Sequence, residues 1–147
     1  MKRILFLLST LLFISMGAGA QKSEVFVNDG AAIRGYDVVA YFKENKAVKG
    51  SKDFSFNWNN AIWFFASKQN LDSFKKAPEK FAPQYGGYCA YGTSEGHKAP
   101  TEPDAFTIVN GKLYFNYNKD VQVMWRKDKE ARIITADKNW TDLKDKE

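Results

Sequence analysis

Residues 105–115, Ala105-Phe106-Thr107-Ile108-Val109-Asn110-Gly111-Lys112-Leu113-Tyr114-Phe115, carry the clearest local instruction in the chain. Two short strand-forming runs flank an Asn-Gly pair, and both central residues of such a turn must accept positive φ. A tight β-hairpin is therefore predicted here.

Working outward from this hairpin, Asn118 is placed to cap a helix containing Val121, Met124 and Trp125, and a last helical stretch is expected over about residues 129–140. On the N-terminal side, residues 93–104 read as a polar loop carrying two prolines. Before it, Phe81, Tyr85, Tyr88 and Tyr91 recur at intervals of three and four, which predicts one or two short helices interrupted near Gly86-Gly87. A second hairpin is expected where residues 53–58 and 61–66 flank Asn59-Asn60, followed by a helix that Ser67 caps and that ends before Pro78. The run Asp37-Val38-Val39-Ala40-Tyr41-Phe42 reads as a short strand, and the residues before Gly35 as a lead-in segment. This order of elements implies a single α+β domain, a small antiparallel sheet with hairpins packed against several short helices.

The first twenty of the 147 residues have the three parts of a secretory signal: Lys2 and Arg3, an apolar run from Ile4 to Ile14, and the small-residue site Ala18-Gly19-Ala20. The apolar run is shorter than the roughly 20 residues needed to span a membrane. Cleavage before Gln21 is expected, giving a bacterial periplasmic or secreted protein with no membrane anchor. The expected boundaries are a signal over 1–20, a lead-in over 21–34, one domain over 35–141 and a charged tail over 142–147. Removing Lys2 and Arg3 lowers the formal charge from +5 to +3, which gives no support to a nucleic-acid partner.

Chemistry has few owners in this chain. It holds one cysteine, Cys89, and one histidine, His97, eight positions apart in a glycine- and tyrosine-rich stretch. A single cysteine excludes an intramolecular disulfide, so the thiol is buried and inert, reactive, metal-bound, or joined to another molecule. Copper and zinc favour thiolate and imidazole ligands, and Cys89 with His97 is the candidate metal pair. On one continuous helix the two would lie about 12 Å apart along the axis, too far to share an ion. The pair therefore requires the chain to reverse at Gly92 and Gly96. Glu95, Glu102 and Asp104 are near enough in sequence to complete a mixed site.

The blocks Gly35-Tyr36-Asp37-Val38-Val39-Ala40-Tyr41-Phe42, Trp63-Phe64-Phe65-Ala66-Ser67 and Ala82-Pro83-Gln84-Tyr85-Gly86-Gly87-Tyr88-Cys89-Ala90-Tyr91-Gly92, continued by residues 105–118, make the chain resemble the YHS domain family. The second half is similar to its exported, stand-alone branch, some members of which are described as selenoproteins. Short YHS modules attached to metal-transporting pumps are taken to bind soft metals through cysteines. The corresponding positions here are Ala40, Ala66 and Asn70.

The expectation is an exported YHS-like protein with no assigned catalytic residue, binding a metal ion or small ligand near Cys89, with Tyr85, Gly87 and Tyr88 as the ligand pocket. The alternatives are a redox protein using the Cys89 thiol, activated at the start of a helix, and an interaction module in which that thiol is inert. Trp58, Trp63, Tyr85, Tyr88, Tyr91, Tyr114 and Tyr117 either pack the core or line a ligand site.

Overall fold

Turn chemistry and helix caps account for most of the architecture in the computed structural model, which describes residues 23–146. Strands β1 (Val27–Asn28) and β2 (Ala31–Ala32) form a minimal hairpin and lead through a 3₁₀ turn, Ile33–Gly35, to helix α1 (Val38–Glu44). Strands β3 (Ser51–Trp58) and β4 (Ala61–Phe65) make the second hairpin, followed by α2 (Lys68–Lys76) and α3 (Pro78–Phe81). A 3₁₀ turn, Gln84–Gly87, leads to α4 (Ala90–Ser94). The third hairpin, β5 (Phe106–Val109) with β6 (Lys112–Phe115), precedes α5 (Lys119–Lys127) and α6 (Lys129–Leu143). The result is α+β, with three separate two-stranded antiparallel sheets among the described residues.

Asn110 and Gly111 both have positive φ, 50° and 73°, as the β5–β6 turn requires. The Asn59-Asn60 turn behaves alike, at 49° and 57°. Ser67 accepts a hydrogen bond from Asn70 N at the start of α2, and Asn118 accepts one from Val121 N at the start of α5. These are the caps expected from sequence. The export segment expected over residues 1–20 lies outside the described residues.

Two expectations are corrected. Residues 37–42 are not a strand: Asp37 caps α1, its Oδ1 accepting from Val39 N at 2.9 Å and Ala40 N at 3.2 Å. Val38, Val39, Ala40 and Tyr41 are all buried, so the segment has no polar face and its hydrophobic period carries no information. The residues before Gly35 do more than lead in. Val25, Phe26, Ala31, Ala32 and Ile33 are buried core residues.

The core divides into two clusters. The first gathers Val38, Tyr41, Trp63, Phe65, Phe74, Leu113 and Phe115, with Phe74 packed against the rings of Trp58, Trp63 and Phe65 at centroid distances of 5.7, 5.2 and 5.0 Å. The second gathers Tyr85, Ala90, Tyr114, Trp125 and Ala136, with Trp140 against it. Strand β6 serves both. Successive strand residues point to opposite faces, so Leu113 and Phe115 enter the first cluster while Tyr114 enters the second. The β5–β6 hairpin is thus the wall between two aromatic cores.

Asp37 joins the elements of the first cluster. Besides capping α1, its Oδ2 accepts from Ala66 N at 2.8 Å, at the end of β4, and from Asn70 Nδ2 at 2.7 Å, on α2. This carboxylate is 0% exposed, and four donors replace its hydration. Asp37→Ala leaves those donors without their acceptor and should lower unfolding free energy by about 3 kcal/mol or more. Urea unfolding checks this, and a loss of under about 1 kcal/mol would contradict the role given to Asp37.

Candidate functional site

Gly86-Gly87 brings the aromatic stretch onto the N-terminal segment. Tyr85, Gly86 and Gly87 all have positive φ, and Phe26 N donates to Gly86 O at 2.8 Å. A Cβ on Gly86 would lie 1.7 Å from Glu24 O, and one on Gly87 would lie 2.2 Å from Ile33 Cδ1. Both positions must therefore be glycine for the 3₁₀ turn to dock. Gly87 packs on Ile33 and Pro83.

This turn delivers Cys89 to the N-cap of α4. Its Sγ accepts from Gly92 N at 3.4 Å, and the thiol donates to Asn116 Oδ1 at 3.7 Å. The main chain is equally committed: Cys89 N donates to Ala99 O at 3.0 Å, and Cys89 O accepts from Thr93 N at 2.8 Å and Thr93 Oγ1 at 2.9 Å. The residue is 2% exposed. Burial pushes the thiol pKa up, outweighing the backbone N–H groups of Gly92, Tyr117 and Tyr91, which act in the opposite direction. A helix start does lie at Cys89, as the redox reading requires. Desolvation nonetheless holds the sulfur in its protonated, poorly nucleophilic form.

The chain reversal required for a Cys89–His97 pair does occur. His97 N donates to Gly92 O at 3.0 Å, Gly96 adopts φ of 88°, and His97 Nε2 lies 3.2 Å from where a Cβ on Gly92 would be. The imidazole thus rests over the residue whose N–H caps onto Cys89 Sγ, although His97 itself is exposed. Glu95 is engaged by Arg132 at 2.8 Å, and Met124, the remaining thioether after Ala20, is 47% exposed on α5. Among the described residues, no group of three or more His, Cys, Asp or Glu side chains is arranged to hold a metal ion.

Ala40, Ala66 and Asn70 converge. They meet at Asp37, to which Ala40 N, Ala66 N and Asn70 Nδ2 all donate. Lys43 Nζ closes the cluster on Asn70 Oδ1 at 3.0 Å. What occupies this location is a hydrogen-bonded carboxylate with no thiol near it in the network.

The three expected pocket residues separate. Tyr85 lines a cleft of about 410 Å³ together with Trp58, Trp63, Glu79, Lys112, Asp137 and Trp140. Tyr88 lines a second hollow, of about 330 Å³, with Phe26, Val27 and Lys98. The larger cleft opens along the seam between the two cores, since Trp58 and Trp63 belong to the first cluster and Tyr85 and Trp140 to the second. Within its lining the Tyr85 hydroxyl donates to Asp137 Oδ1 at 2.8 Å. Burial, and then this bond and the charge of Asp137, push the Tyr85 phenol far above its ordinary pKa, so it stays a donor. Asp137 and Trp140 were not anticipated as site residues. Their i,i+3 spacing on a helix was the available signal, because it sets both on one face.

Comparison with known proteins finds no matching family model, no matching curated protein and no matching solved structure.

The buried thiol has a pH signature. Below an unfolded thiol's pKa of about 8.5 both states hold the proton; above it the unfolded chain ionises first, so stability is lost as pH rises toward the folded-state value. The drop in urea stability between about pH 8 and pH 9.5 should be smaller in Cys89→Ser than in the wild type. Labelling with a disulfide reagent at neutral pH should be slow until urea opens the fold. Labelling at the rate of a free small thiol would contradict the burial described.

Proposed function

We propose that this chain is a non-catalytic, exported, YHS-like binding module whose site is the cleft at the seam of the two cores. Its ligand is a small organic molecule. The observation that carries this reading is the cleft itself: about 410 Å³, walled by aromatic rings from both clusters, with the polar groups of Asp137, Glu79 and Lys112 converging on it. Small-molecule sites have this size and this mixture of apolar wall and few polar groups. Cys89 serves the site indirectly, by capping α4 and anchoring the chain that follows the Tyr85 turn.

A second reading places a metal ion at Cys89 and His97. The reversal that lays His97 over Gly92 supports it, and monovalent copper accepts few, soft ligands. It requires the sulfur to be uncovered first.

Three variants separate the readings. Trp140→Ala should abolish tryptophan-emission changes produced by a panel of small organic molecules, while Cys89→Ser should leave them within about twofold of wild type. The opposite pattern, or copper(I) bound stoichiometrically by wild type and lost in Cys89→Ser and His97→Ala, would move the site to the thiol.

A further inference from the structure

The charge and ring content of the seam cleft specify what class of molecule fits it. Four rings line the cleft, from Trp58, Trp63, Tyr85 and Trp140, and the charged groups around it are the carboxylates of Glu79 and Asp137 and the ammonium of Lys112. Carboxylates outnumber cations, and the electron-rich faces of indole and phenol rings attract positive charge within about 6 Å. Asp137, an exposed residue of α6, lines the cleft and accepts the Tyr85 hydroxyl at 2.8 Å, which orients its carboxylate along the cleft wall. Ring surfaces at this end of the molecule already take cations: Lys98 Nζ lies 5.6 Å from the Trp140 ring centroid and 5.1 Å from that of Tyr88.

We infer that the seam cleft binds a small organic cation, an alkylated ammonium or a guanidinium, between the Trp140 and Trp58 side and the Asp137 carboxylate. The inference rests on the reading of this cleft as the binding site and adds the ligand's charge. A neutral molecule of the same shape gains the ring contacts but not the attraction to Asp137. An anion meets two carboxylates.

Calorimetric and tryptophan-emission titrations of the wild-type chain with choline, tetramethylammonium and methylguanidine test this, with 3,3-dimethylbutan-1-ol as the uncharged counterpart of choline. At least one of the three cations should bind saturably. Choline should bind about tenfold or more tighter than its uncharged counterpart, and Asp137→Asn should remove most of that difference. The Asn side-chain carbonyl still accepts the Tyr85 hydroxyl, so this variant keeps the local hydrogen bond; Glu79→Gln provides a second charge removal away from the core. Equal binding of choline and its neutral counterpart, unaffected in both variants, would overturn the cation class while leaving the cleft as the site. Absence of saturable binding by all three cations, with neutral molecules still producing a Trp140-dependent response, would likewise overturn it. If no organic probe gives a Trp140-dependent response, the cleft reading falls and the cation inference falls with it.

Discussion

The alternation of side chains along β6 is the constraint on which the rest of the molecule depends. Three consecutive residues, Leu113, Tyr114 and Phe115, are buried, yet they serve different clusters because a strand presents successive side chains to opposite faces. A one-residue slip in the Ile108–Leu113 and Thr107–Tyr114 pairing would exchange the two faces. The Asn110-Gly111 turn fixes that register. One short hairpin thereby sets where two aromatic cores meet, and the seam between them is where the cleft opens.

The chain's one thiol is committed to the start of α4. Cys89 stands beside β6, bridging Phe115 in parallel, with its sulfur enclosed by Gly92 N and Asn116. In that place it does what Ser or Asp does at many helix starts, satisfying an N–H that would otherwise be orphaned. The groups facing the seam are different in kind: exposed Asp137 and Glu79, half-buried Trp58 and Trp140, and the oriented hydroxyl of Tyr85.

How much could be read in advance depended on how local the determining physics was. The Asn110-Gly111 and Asn59-Asn60 turns and the Ser67 and Asn118 caps were legible because each is settled within a few residues. The helix at Val38–Glu44 was not, because four consecutive buried residues, Val38 to Tyr41, show no period and leave only Asp37 as a start signal. The core role of Val25 and Ile33 was hidden for another reason: the glycines that receive them, Gly86 and Gly87, lie more than fifty positions away. The site divided in the same manner. Tyr85, one of the expected pocket residues, lines the cleft, while Asp137 and Trp140 reach it from a distant helix whose approach only the tertiary packing reveals. Gly96, with positive φ, turns the chain so that His97 returns to Gly92, and Cys89 has the burial that is the ordinary state of a free cysteine.

The four tryptophans provide the most direct measurement of the claim that binding occurs at the seam. Three of their side chains line the cleft, and the fourth, Trp125, is sealed within the second core. In a ¹⁵N-labelled sample titrated with a mixture of small organic cations and neutral aromatics, the indole N–H resonances of Trp58 and Trp140 and the amide of Gly86 should move together. The Trp125 indole and the amides of Cys89, Gly92 and His97 should stay in place. Perturbations gathered instead over residues 89–97, with the cleft resonances unchanged, would contradict the account.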